Sequence, residues 1–223
     1  MEHQAPEITR VHRSRQEARA WYDTLSPWYG AIADPFERKH RATGLEMLQA
    51  DTGERIVDVG CGTGSALVSI ARSVAESGRA IGIDISAGMC RVARETVVDA
   101  GVSDRTDVVC GDALNLPVRS GSLDGVFASF TLELFDTPDI PVVLEECRRT
   151  LRHGGRICVV SLSKRDAGIA TALYERVHNA FPRYVDCRPI YVRRAVLAEG
   201  FDVVETRDRT MWGLPVEIVL ARV

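Results

Sequence analysis

The stretch Ile56-Val57-Asp58-Val59-Gly60-Cys61-Gly62-Thr63-Gly64-Ser65 decides the fold of this chain. Its first half is a β-branched run and its second half is rich in glycine, the pattern of a buried strand turning sharply into a helix. Glycine permits the backbone such a turn needs, lets a ligand approach the main chain, and allows helix N-terminal amides to face electron-rich atoms. Dinucleotide-binding turns share this logic but place a third glycine three positions after the second. Here that position is Ser65, and the glycine falls one place early, at Gly64. Asp58 stands just before the first glycine, where its carboxylate would repel a pyrophosphate; a cationic ligand is the electrostatic match.

Outward from this corner, short β-branched runs alternate with amphipathic stretches, which predicts βα units and a parallel sheet. Strands are expected at 55–59, 80–84, 107–110, 125–129 and 156–161, and helices at 64–77, 87–100, 140–151 and 167–181. Right-handed crossovers then place helices on both faces. Pro189 opens a short helix that runs to Glu199 and ends at Gly200, after which 201–206 and 216–223 read as a closing antiparallel hairpin. Ahead of the first strand, 14–28 and 36–48 read as helices that cap the core. The expected architecture is α/β: a Rossmann-like, doubly wound, mostly parallel sheet with a C-terminal antiparallel hairpin and N-terminal capping helices. Residues 1–50 are expected to form a helical lid and 51–223 the ligand-binding domain.

The composition of 223 residues, 45% hydrophobic and 26% charged, fits one soluble domain with a substantial core and excludes disorder. A net charge of −3 offers no broad basic face, so nucleic acid is not an expected partner. Apolar runs are too short to span a bilayer and the polar start lacks a signal-peptide core, so a cytoplasmic location without stable membrane insertion is expected. The cysteines at 61, 90, 110, 147, 158 and 187 form no Cys-x-x-Cys pair and read as reduced thiols, with no metal expected.

With these residues in view, the 56–65 segment resembles motif I of the class I S-adenosylmethionine-dependent methyltransferases, and the resemblance continues from about Lys39 to Gly200. S-adenosylmethionine carries an ammonium and a sulfonium, which suits Asp58. Asp84 follows Gly64 by 20 residues, where a carboxylate can accept two bonds from ribose hydroxyls. In Ile85-Ser86-Ala87-Gly88-Met89, Ser86 reads as a helix N-cap, and the family packs an apolar side chain such as Met89 on adenine. Asp112 and Ala113 correspond to the pair that meets the adenine amine and ring edge. The run from Leu123 to Phe130 resembles motif III, placing Ser129 and Phe130 beside the methyl group. Leu144 to Arg156 looks like the helix and Gly-Gly turn before the fifth strand. The resemblance therefore implies a cofactor site made of Tyr29, Asp58, Gly60, Cys61, Gly62, Gly64, Asp84, Ile85, Met89, Asp112, Ala113, Ser129 and Phe130.

Tyr22 to Tyr29 is similar to the opening of the quinone C-methyltransferases of the ubiquinone and menaquinone pathways and their relatives, which act on small molecules and lipid headgroups. In that group the N-terminal helices cover the cofactor and exclude water. Gly30 departs from the Asp common there, and the stretch after Ser161 matches poorly. The resemblance implies in-line methyl transfer to a small-molecule acceptor. Tyr22, His40, Glu133 and Trp212 are candidates for the acceptor wall, and Tyr22, His40, Glu133 and Asp136 for a general base, without a single catalytic residue being assigned. His3, His12, His153 and His178 read as structural or solvated, and Cys61 as close packing beside the ligand. A noncatalytic S-adenosylmethionine-binding sensor or complex subunit is the alternative reading. A homodimer is compatible with the sequence and is not derivable from it.

Overall fold

The computed structural model describes residues 10, 14–32, 34–165, 171, 174, 176 and 187–223, and the side chains of 31, 32 and 34 are not described. In chain order come α1 (Arg15–Ile32), α2 (Asp34–Leu48), β1 (Arg55–Val59), α3 (Ser65–Val74), β2 (Arg79–Asp84), α4 (Ala87–Asp99), β3 (Thr106–Cys110), β4 (Leu123–Ser129), α5 (Asp139–Thr150) and β5 (Leu151–Leu162). After them follow α6 (Val192–Ala198), β6 (Asp202–Met211) and β7 (Leu214–Arg222). The expected helix at 167–181 and the histidines 3, 12 and 178 lie outside the described residues, apart from isolated helical positions 171, 174 and 176.

The seven strands form one sheet in the order β3-β2-β1-β4-β5-β7-β6. β1 to β5 pair in parallel, while β7 runs antiparallel between β5 and β6. β1 is β-branched and buried from Ile56 onward, which fits a central strand covered on both faces. Two apolar clusters fill those faces, one beneath α2 and α3 around Leu48, Leu67 and Phe127, the other beneath α5 and α6 around Leu123, Leu144 and Phe201. Helix periodicity delivers these contacts: α3 buries Leu67, Ile70, Ala71 and Val74, and α5 buries Ile140, Val143, Leu144 and Cys147.

Several boundaries differ from the sequence expectation. α1 continues through Pro27 to Ile32 instead of stopping at Trp28. α2 begins two residues early, with Pro35 in its first turn, where its missing N–H costs no helical bond. β5 starts at Leu151 because Leu123 pairs with Leu151 before the register shifts, so Gly154-Gly155 is an irregularity within the ladder and not a turn ahead of it. β6 extends to Met211 because an edge strand tolerates charged residues such as Arg207-Asp208-Arg209. No helix among the described residues is long and apolar enough to cross a membrane.

Two features seat the N-terminal helices. Arg156 donates to the carbonyls of Leu48 and Gln49 and pairs with Glu54 at 2.6 Å, which satisfies the C-terminal end of α2. In the middle of α1, Asp23 accepts from Ser86 Oγ at 2.6 Å and from Gly88 N at 2.8 Å, fastening α1 to the start of α4. These bonds hold the Asp23 carboxyl below its ordinary range.

Candidate functional site

β1 and β4 lie side by side, but β2 and β3 are laid on one side of β1 before the chain crosses to β4. A sheet of this kind binds ligands beyond the strand C-termini, where the order reverses. A cavity of about 450 Å³ opens there, within the range of small-molecule sites.

The glycine corner forms its floor. Gly60 has φ +70°, and a Cβ there would come within 2.4 Å of Thr131 Oγ1, so only glycine lets the corner close over Thr131, two residues past the end of β4. The amides of Gly60 and Cys61 both donate to Ile83 O, at 2.8 and 3.1 Å, and that of Gly62 donates to Asp84 Oδ2 at 3.0 Å. These three N–H groups therefore tie the corner to the tip of β2, where the sequence suggested amides aimed at a ligand.

Three acids reach the cavity from neighbouring strand ends. Asp58 is 1% exposed, and neither carboxylate oxygen has a hydrogen-bond partner. Burial pushes its pKa up to about 7, with the nearby Arg41 charge opposing that rise and Asp84 adding to it. Asp84 accepts from Ser86 N at 2.9 Å as well as from Gly62 N, and burial raises its pKa against those bonds. Asp112 accepts from Leu114 N at 3.0 Å and pairs with Arg15 at 2.7 Å. An ionised carboxylate offers about four acceptor sites, so Asp84 and Asp112 keep capacity for ligand hydroxyls and amines.

α1 and α2 roof the cavity with Arg15, Ala18, Tyr22, Tyr29, Glu37 and Arg41. Tyr29 donates to Glu37 Oε1 at 3.3 Å, Arg41 pairs with the other Glu37 oxygen at 3.1 Å, and the Tyr22 and Tyr29 rings meet edge to face at 6.1 Å. Phe130 lines the opposite wall with φ +52°, an unusual backbone for a bulky residue, fixed by its N–H donating to Val160 O at 2.7 Å. Cys61 is buried at the corner against Gly82, and burial followed by Asp58 and Asp84 pushes its thiol well above the ordinary value.

Of the residues expected around a cofactor, Tyr29, Asp58, Gly60, Cys61, Gly62, Asp84, Ile85, Met89, Asp112, Ala113, Ser129 and Phe130 line this one cavity, and Tyr22 joins them. Gly64 does not: it precedes α3 and packs against Ala93. Nor do three of the residues expected on the acceptor wall. His40 is buried behind Phe130, with ring centroids 6.4 Å apart, because its position on α2 faces the sheet. Glu133 is fully buried and accepts from Leu162 N at 3.2 Å, and burial pushes its pKa up to about 8. Trp212 sits at the hairpin tip, 65% exposed. Asp136 lines the cavity but is held by Arg10 at 2.6 Å.

Sequence reasoning missed Arg15, Glu37, Arg41 and Thr131. Glu37 and Arg41 stand four apart on a helix, a spacing that a solvated surface pair shares. Among the described residues no cluster of His, Cys, Asp or Glu is arranged to hold a metal ion.

Comparison with known proteins bears on this cavity. Residues 56–155, from β1 to the Gly154-Gly155 irregularity, match the family described as a methyltransferase domain. The demethylmenaquinone methyltransferase of Oceanobacillus iheyensis is 29% identical over 155 residues, covering 70% of this chain and 63% of the relative, so the chain spans less than two thirds of that protein. The crystal structure of a SAM-dependent methyltransferase from Aquifex aeolicus superposes with a TM-score of 0.65 at 19% identity, covering 92% of this chain and 97% of that one. The [4+2]-cyclase SpnF superposes with a TM-score of 0.75 at 20% identity, covering 94% and 97%. The matched residues run from β1 through α5 into the start of β5 and include the glycine corner, so over this span the chain is similar to S-adenosylmethionine-dependent methyltransferases.

Proposed function

We propose that this chain transfers a methyl group from S-adenosylmethionine to a small, largely apolar acceptor, with residues 1–50 serving as the lid and 51–223 as the cofactor-binding domain. The buried, unpartnered carboxylate of Asp58 carries this reading. Such a group is costly in an isolated fold, and an ammonium group offsets the cost by pairing with it. When bound, the cofactor supplies an electrophilic methyl on a sulfonium, open to in-line displacement by an acceptor nucleophile. Asp84 would take the ribose hydroxyls, Asp112 and Ala113 the adenine edge, and Met89 and Ile85 the ring face. Arg41, the cation nearest Asp58 in effect, suits the cofactor's own carboxylate.

The lining left over includes Tyr22, Leu134, Phe135 and Thr131. Aromatic and apolar walls under a helical roof exclude water and favour a planar, weakly polar acceptor. The name of the Oceanobacillus relative agrees with a hydroxylated aromatic ring, which we propose as the acceptor class. Purified protein given S-adenosylmethionine and a panel of hydroquinones and phenols should form S-adenosylhomocysteine, measured by mass spectrometry. Tight cofactor binding with no product across broad acceptor pools would favour the sensor reading instead. Failure to bind the cofactor would remove both.

A further inference from the structure

At the joint between α1 and α2, aromatic side chains face water. Trp28 near the end of α1 is 68% exposed, Phe36 on the first turn of α2 is 46% exposed, and Trp212 at the β6–β7 tip is 65% exposed. The Phe36 and Trp212 rings pack with centroids 4.6 Å apart at 58°, so two elements distant in sequence build one aromatic patch and not isolated exposed side chains. Trp212 takes φ +52° ahead of Gly213 in a tight turn, a conformation unfavourable for a bulky residue, and the turn holds the ring outward.

Basic side chains border this patch. Arg38 and Lys39 are exposed on α2 and Arg209 is exposed on β6. Lys39 and Arg209 both act on the buried His40 between them, which places these two cations at the same corner. Of the acids near the patch, Glu37 pairs with Arg41, Glu205 with Arg207 and Asp208 with Arg165, while Asp34 opens the first turn of α2. A local cluster of cations beside stacked rings, on a chain of net charge −3, is therefore a deliberate local contrast in charge.

We propose that this corner docks on an anionic phospholipid surface, the cations meeting headgroup phosphates while Trp212 and Phe36 seat at the polar–apolar boundary. Aromatic rings with a polar edge and long basic side chains are the groups that favour that boundary. The patch joins the first turn of α2 to the exposed tip of the β6–β7 hairpin. Phe36 is followed directly by Glu37 of the cavity roof, so docking would hold the roof at headgroup level. The docking itself does not depend on the acceptor proposed above.

The full chain should sediment at low salt with vesicles of phosphatidylcholine mixed with phosphatidylglycerol, stay in solution with phosphatidylcholine alone, and be released as salt is raised. Lys39→Glu with Arg209→Glu should lower the partition coefficient by at least ~10-fold, given about fivefold for each cation removed. Phe36→Ser with Trp212→Ser should weaken partitioning while leaving its salt dependence in place. Both variants should keep the wild-type circular dichroism spectrum and S-adenosylmethionine affinity, since none of the four residues lines the cavity. Equal binding to both vesicle types, no binding, or variants that partition like wild type would overturn the proposal. Self-association that depends on Trp212 without vesicle binding would overturn it too, and assign the patch to a second copy of the chain.

Discussion

Neither oxygen of Asp58 has a hydrogen-bond partner, and burial pushes its pKa up to about 7. Pairing with an ammonium requires the ionised form, so below that pH binding must release a proton. Affinity for S-adenosylmethionine should therefore rise with pH up to about 7 and level off above it. Calorimetry in buffers of different ionisation enthalpy reads the released proton directly. Asp58→Asn should abolish the release and weaken binding by roughly 1.5–3 kcal/mol, the scale of a hydrogen bond to a charged group. Without ligand and above neutral pH, the same variant should be more stable than wild type by about 1–2 kcal/mol, because a buried charge has been removed. An Asn variant that binds as before would remove Asp58 from the site. Asp84→Ala should weaken binding by roughly 1.5–3 kcal/mol as well, and it also deprives the Gly62 and Ser86 amides of their acceptor. Unchanged affinity by titration would show that Asp84 serves only to brace the corner. These acids were legible in the sequence because strand ends in a parallel sheet occupy fixed places. Arg41 was not, since nothing in a Glu-x-x-x-Arg spacing says which way the helix faces.

α2 acts as a roof because it can approach the sheet. A Cβ at Gly44 would lie 2.5 Å from Val160 Cγ2 and 3.0 Å from Phe127, so glycine sets the distance between helix and strands. Gly44→Leu should wedge the helix outward, destabilise the fold by about 1–3 kcal/mol, and lower S-adenosylmethionine affinity while the sheet persists. Urea denaturation and calorimetry on the same sample test this, and unaltered affinity would mean that α2 does not shape the cavity. The order and type of elements from β1 to β5 follow from the hydrophobic period and the glycine punctuation. The early start of β5 does not, because the pairing of Leu151 with Leu123 is a tertiary contact that overrides the Gly-Gly signal. The length of the hairpin was hidden for a related reason: β6 is an edge strand, and its exposed positions carry no alternation to read. That none of His40, Glu133 and Trp212 lines the cavity follows from helix rotation and loop path, neither of which is encoded locally.

At the scale of the whole molecule, Asp58 and Glu133 place two carboxyls with pKa values raised to about 7 and about 8 inside one fold. In the unfolded chain both ionise near their ordinary values of 3.8 and 4.5. The folded form therefore holds more protons between those limits, and its stability should fall as pH rises toward about 8. Urea unfolding at about pH 6 and about pH 9 should show the loss, and Asp58→Asn with Glu133→Gln should flatten it. A wild-type stability that climbs across this range would refute the protonation states assigned to the pair. Arg10 and Arg15, ahead of and at the start of α1, reach Asp136 and Asp112 at 2.6 and 2.7 Å, and both arginines are largely exposed. Contacts of that kind are weak, rapidly broken and sensitive to counterions. The residence time of anything held beneath them should consequently shorten as ionic strength rises, making departure of a bound cofactor a clock set by the surrounding electrolyte.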